Sequence, residues 1–224
     1  MDIKPILNIK SLKEQVYEYL REQMRRGELL PGAVIDMEVT SKKLGVSKTP
    51  LRDALLQLEM EDFVTILPRR KVVVNSLTLQ DVKNYYEIIG ALESTALLVA
   101  FEHIQEAEIE FMEKANEGMK KAIEDGDFDL YYEKNLKFHE TFLNLCGNTS
   151  LAKIVSQMKR RLYDFPRPPG FVKEWEERSI DEHRELLDLI KQKKMQEAVS
   201  VIRDIHWSFK VQEKYIAKYY VGIA

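Results

Sequence analysis

The 224 residues predict a mainly α protein in two parts, a small N-terminal domain of helices closed by one β-hairpin and a longer domain built only of helices. Apolar residues recur at three- and four-residue spacing over most of the chain, the mark of amphipathic helices. β-Branched residues gather in two short runs, 63–67 and 72–74, and no strand signal returns after Thr78. The length suits one small and one medium domain, so the division is expected at 1–75 and 76–224.

Ser11-Leu12-Lys13-Glu14 has the spacing of a capping box, and Val16, Tyr19, Leu20 and Met24 follow on one helical face as far as Gly27. Pro31-Gly32 makes a turn. Residues 39–44 read as a short amphipathic piece ended by Gly45, and Ser47 then caps a helix carrying Leu51, Ala54, Leu55 and Leu58. Two short helices meeting at Gly45-Val46-Ser47 form a helix-turn-helix. The two β-rich runs flank the basic turn Pro68-Arg69-Arg70-Lys71, which makes them a wing. Beyond residue 78, helices are expected at 79–102, 105–125, 128–145, 149–165, 173–192 and 194–219, with breaks at Gly126, Gly147-Asn148 and 166–170. Short loops between them favour an antiparallel bundle.

With 45% hydrophobic and 32% charged residues the chain is neither disordered nor fibrous. No apolar run reaches the roughly 18 residues of a membrane span, and Met1-Asp2-Ile3-Lys4 lacks the apolar core of a secretory signal. A cytoplasmic protein with no membrane partner is therefore expected. The single cysteine, Cys146, excludes both an internal disulfide and a cysteine-built metal site. The net charge of -3 is uneven: residues 1–75 hold 13 Lys and Arg against 11 Asp and Glu, which leaves 21 against 26 for the remainder. The basic part comes first.

The second helix of a helix-turn-helix presents its N-terminal turn to base edges in the major groove, so small polar and cationic residues belong there. Ser47-Lys48-Thr49-Pro50-Leu51-Arg52 supplies them, with Lys48 and Arg52 on one face. Ser47 and Thr49 can offer hydroxyls to phosphate, and Arg69 and Arg70 in the wing turn can reach the backbone or minor groove. On an isolated helix a Lys/Arg pair would be only a solvated face. The order helix, helix-turn-helix, basic wing points instead to DNA.

Three of the four histidines, His139, His183 and His206, fall on apolar stripes of three separate predicted helices. For any one of them a hydrogen-bonded core histidine is the plainer reading. Three together can converge on one divalent transition metal, zinc or nickel before others, because imidazole is the commonest ligand for such ions. Asn135 lies one turn before His139 on the same face, as a weak ligand or a member of the surrounding polar pocket.

Leu30-Pro31-Gly32, the run from Leu44 to Leu55, and Leu58-Glu59 resemble the signature of the GntR family of bacterial repressors. The resemblance implies that Lys48, Thr49 and Arg52 contact operator DNA and that Arg69 and Arg70 reach the minor groove. Lys48 stands where arginine is commoner, and Glu38 where some members turn an arginine toward DNA; lysine lacks arginine's fork to guanine. Residues 76–224 resemble the FCD ligand-binding domain of the FadR subfamily, through Glu87-Ile88 to Leu92-Glu93, Asn135 to His139 with Cys146-Gly147-Asn148, and Glu182-His183 with His206. That resemblance implies a metal held by the three histidines and a small carboxylate effector beside it. Asn135 takes the place usually held by aspartate, and Ile89 that of an arginine that pairs with effector in many relatives.

The expectation is thus a homodimeric repressor that binds palindromic operator DNA and is modulated by effector at the metal. A purely structural metal is the first alternative. A three-histidine metalloenzyme is the second, but no His-Glu-x-x-His, Gly-rich phosphate loop or Gly-x-Ser-x-Gly elbow supports it, so no enzyme is expected.

Overall fold

The structure is a computed structural model and describes residues 10–68, 71–165 and 172–220. Its residues form two compact units, one of those up to Leu77 with 160–165, the other of 78–159 with 172–220.

In the first unit α1 (Leu12–Arg25) starts with the expected capping box, Ser11 Oγ accepting from the Glu14 amide at 3.2 Å and Glu14 accepting from the Ser11 amide at 2.7 Å. Its core face is Val16, Tyr17, Leu20 and Met24, so Tyr17 is buried where the spacing had selected Tyr19. α2 (Met37–Leu44) begins earlier than the expected residue 39, because Asp36 caps it by accepting from the Glu38 and Val39 amides, both at 2.8 Å. Gly45, at φ +67°, ends it in the left-handed conformation that glycine adopts without a Cβ penalty. α3 (Lys48–Met60) seats Leu51, Ala54, Leu55 and Leu58 in the core. Ser47 occupies its N-cap position, but the hydroxyl makes no capping bond.

The wing is β2 (Val64–Leu67) antiparallel to β3 (Lys71–Val74), with Val64 opposite Val74 and Leu67 opposite Lys71. A third strand, β1 (Val34–Ile35), which the sequence does not predict, pairs with the far edge of β3. Two residues are too few to show a period. At 160–165, Asp164 pairs with Arg21, and the buried Arg161 guanidinium lies over Phe63 and donates to the Ser76 carbonyl at 3.2 Å.

The second unit opens with α4 (Leu79–Ala100), capped by a second box between Thr78 and Asp81, and a 3-10 turn (Phe101–His103). α5 (Glu106–Asp125) packs on α6 (Phe128–Leu145) and α8 (Lys173–Lys191), and α4 packs on α6. α7 (Thr149–Tyr163) runs from this unit into the first. Ile89, Leu97, Met112, Met119, Phe138, Phe142 and Leu186 fill the core. The single helix expected at 194–219 is broken into α9 (Met195–Ser200), a π-helical turn (Val201–His206) and α10 (Phe209–Tyr220). The extra residue in the π turn lets Trp207 donate its amide to the Ile202 carbonyl and swing its indole against Tyr86, edge to face at 5.1 Å. α4 admits it because residue 90 is glycine: a Cβ there would lie 3.0 Å from that of Trp207. No described helix is long and apolar enough to cross a membrane.

Candidate functional site

His139 comes from α6, His183 from α8 and His206 from the end of the π turn, and the three rings meet with centroids 5.1, 5.0 and 4.9 Å apart. One ligand atom from each lies within 4.8 Å of the others, and the side chains are 0, 1 and 9% exposed in that order. Each ring is held from behind. Asn116 Oδ1 lies 3.2 Å from His183 Nδ1, and Glu182 Oε2 lies 2.9 Å from His206 Nδ1. Glu93 Oε2 lies 2.9 Å from His139 Nδ1, off the line of an ideal N–H bond but close enough to favour a proton on that nitrogen. A carboxylate only accepts, and Asn116 donates its Nδ2 to the Ile180 carbonyl at 3.1 Å and so turns its oxygen to His183; the arrangement favours protons on Nδ1 and leaves the Nε2 lone pairs facing inward.

His139 Nε2 and His183 Nε2 consequently face one another at 3.3 Å. Burial pushes His139 down to about 3 and His183 well below the usual imidazole range, so neither ring takes a second proton at neutral pH, and with the one proton of each held on Nδ1 none lies between them. Two opposed lone pairs are unfavourable without a cation. A second polar atom is orphaned close by in sequence: Asn135 donates Nδ2 to the Tyr131 hydroxyl at 3.4 Å, while its buried Oδ1 has no hydrogen-bond partner. Three imidazole nitrogens and a neutral amide oxygen fit a late first-row divalent ion, which prefers nitrogen donors.

The residues behind the histidines form their own network. Glu93 is fully buried, accepts from Trp207 Nε1 at 2.7 Å and lies 2.5 Å from the Lys159 ammonium. Burial acts to raise its pKa, but His139 and Lys159 outweigh that and hold the carboxyl well below the usual range. Burial lowers Lys159, which also stands over the Trp207 ring at 5.0 Å. Glu182 accepts from Arg178 Nε and from Gln212 Nε2, both at 2.9 Å; burial would raise it, yet His206 and Arg178 bring it to about 2. Asn116, Lys159 and Trp207 are not singled out by the sequence, while Glu93 and Glu182 enter there only through the FCD resemblance, with no role at the histidine centre. Glu93 lies four residues after Ile89 and Asn116 four after Met112, so polar residues on buried stripes were the signal available.

In the first unit, Ser47, Lys48, Thr49 and Arg52 are all exposed at the start of α3. The last three line an open hollow of about 740 Å³ with Asp36, Glu38 and Lys71. Glu38 faces Lys48 at 3.0 Å and Lys42 at 3.5 Å, and Arg52 lies 3.5 Å from Asp53. Arg69 and Arg70 lie outside the described residues.

A basic helix-turn-helix with a three-stranded wing, followed by a helical domain with a buried ligand-type centre, defines a DNA-binding transcription regulator. The chain belongs to the GntR family of bacterial regulators with an FCD domain: residues 12–74 match the family described as bacterial regulatory proteins, gntR family, and residues 84–206 match the FCD domain. The HTH-type transcriptional regulator YdhC of Bacillus subtilis is 28% identical over 186 residues, 82% of this chain and 83% of that protein. The HTH-type transcriptional repressor RspR of Escherichia coli is 25% identical over 177 residues, 75% of this chain and 78% of that protein. Among solved structures, Escherichia coli McbR/YncC superposes with a TM-score of 0.70 at 24% identity, covering 96% of this chain and all of that one, a likeness of fold. These relatives are regulators and not enzymes.

Proposed function

We propose that the chain is a metal-dependent, effector-controlled repressor, acting as a homodimer on palindromic operator DNA. Residues 1–75 form the DNA-binding domain, in which Ser47, Lys48, Thr49 and Arg52 address the major groove and Arg69 and Arg70 the minor groove. Residues 76–224 form the sensing domain, in which His139, His183 and His206 hold zinc or nickel and Asn135 offers its amide oxygen. Such an ion supplies a Lewis-acidic position for a small carboxylate. The observation that carries this reading is the geometry of the rings: an oxygen within 3.2 Å of each Nδ1, and the Nε2 atoms of His139 and His183 only 3.3 Å apart, which favours protons on Nδ1 and inward lone pairs. RspR is a repressor by name, which supports that sense of regulation.

Metal analysis of the purified chain beside the triple variant His139→Ala, His183→Ala, His206→Ala tests it, with carboxylates then titrated into a DNA-binding assay. About one metal per chain, lost in the variant, with a carboxylate that changes operator affinity, is the expected result. A metal whose removal unfolds the helical unit, with no carboxylate affecting DNA, gives the structural-metal reading instead. In the DNA-binding domain, Arg52→Ala is expected to weaken operator binding by about 1–3 kcal/mol through loss of a base contact. An equal loss on random DNA reduces Arg52 to a phosphate contact.

A further inference from the structure

The charges around the histidine centre balance before any cation is added. Glu93 is matched by Lys159 at 2.5 Å and Glu182 by Arg178 at 2.9 Å, while Asn116 and Asn135 are neutral amides. A further carboxylate, Glu176, reaches the Tyr131 hydroxyl from a half-buried position, where solvent screens it. An imidazole that holds a metal through its lone pair is neutral as well. A divalent ion held by them therefore brings two uncompensated positive charges into a site whose ligating side chains are at most 9% exposed. Burying charge without compensation is costly, so such a site favours whatever anion can follow the ion in.

Asn135 is the residue that leaves this deficit. Its Oδ1 is buried and has no hydrogen-bond partner, so it can turn toward a cation, but it brings no charge. An aspartate of the same shape would.

We propose that the centre takes up metal and a small carboxylate as a linked pair, and that Asn135 sets the linkage by withholding an internal anion. This rests on the metal reading above and goes beyond it in making the anion a condition of tight metal binding and not only a signal read afterwards. Linkage requires the converse too: the ion tightens the carboxylate by the same factor as the carboxylate tightens the ion. Asn135→Asp replaces the missing charge from within, changing one atom of the side chain.

The test uses the full-length chain stripped with chelator. Zinc and nickel are titrated by calorimetry in perchlorate and in acetate at equal ionic strength, with correction for the weak metal complexes of acetate itself. Wild type is expected to bind metal about tenfold more tightly in acetate, within the usual range of such couplings. Asn135→Asp should bind as tightly in perchlorate as in acetate. A cobalt-loaded sample gives an independent signature, its visible spectrum changing on acetate addition in wild type and not in the variant. Should the variant fail to fold, the wild-type comparison stands alone. Wild-type affinity that is equal in the two anions overturns the linkage while leaving the metal site intact. Affinity in perchlorate that rises steeply with pH and ignores acetate also overturns it, with hydroxide as the charge-balancing ligand. Failure to bind metal in any buffer removes the metal reading together with the proposal.

Discussion

Replacing Glu93 by glutamine leaves a carbonyl oxygen for the Trp207 indole but strips the Lys159 ammonium of its counter-charge. The two groups lie 2.5 Å apart with side chains 0 and 3% exposed, so the orphaned ammonium has no water to turn to. Removing one partner of such a pair costs about 3–5 kcal/mol. Lys159→Met, which keeps the unbranched stem against Trp207, should cost a similar amount by orphaning the carboxylate. The double variant removes both charges and should lie within about 1 kcal/mol of wild type, a coupling of roughly 5 kcal/mol or more. At a urea dependence of about 2 kcal/mol per molar, each single variant lowers the unfolding midpoint by about 2 M. Both tryptophans, Trp175 and Trp207, belong to the helical unit, so tryptophan fluorescence of the metal-free chain in urea follows that unit alone. Single variants costing less than about 1 kcal/mol, with a double variant equal to their sum, would refute the reasoning: the pair would then be open to water.

Glu38→Gln removes a carboxylate that holds Lys48 and faces the hollow of α3, so random DNA should bind more tightly, with a log–log salt dependence steeper by about one. An unchanged slope in fluorescence anisotropy would show that Lys48 already reaches phosphate freely. Gly90→Ala puts a Cβ 3.0 Å from that of Trp207 and should cost about 1–3 kcal/mol with a shifted Trp207 emission; a silent substitution would mean that α4 and the π turn separate easily. The metal-free chain should lose stability as pH falls. Unfolded histidines take up protons near pH 6.5, whereas His139 resists until about 3 and His183 is also depressed, so their contribution is complete above pH 6.5 and drains below it. The expected slope is about 1.4 kcal/mol per pH unit for each histidine, read from urea midpoints between pH 7 and 5. A flat profile would place water at the rings.

The fold was legible wherever local chemistry and tertiary packing agree. α1 and α4 to α8 announce themselves by long apolar stripes between capping residues and glycines, and α3 by its stripe after Ser47. Disagreement came where a neighbour decides. β1 exists because β3 offers it an edge, not because Val34-Ile35 prefers a strand over so short a length. The apolar spacing through Val201, Ile202 and Ile205 is as helical as any in the chain, so nothing local discloses the π turn. The added residue answers to packing across the bundle, with Trp207 filling the space left by Gly90 and His206 brought to Glu182.

The candidate centre divides in the same way. Histidine is rare on an apolar stripe, so His139, His183 and His206 could be picked out one by one, and Asn135 followed from its place one turn before His139. What would make them ligands and not core residues is which nitrogen each presents, and that belongs to Glu93, Asn116 and Glu182. Two of these three come from α4 and α5, helices that carry no histidine of the centre. In sequence each is one glutamate or asparagine among many. Only when α4 and α6 pack does the Glu93 carboxylate meet the His139 ring, and only when α5 and α8 pack does Asn116 meet His183. Residue type therefore nominates the ligands, while helix packing chooses their tautomers. A regulator with these three histidines but apolar residues at 93, 116 and 182 would keep the same stripes and lose the fixed inward lone pairs on which the proposed metal binding depends.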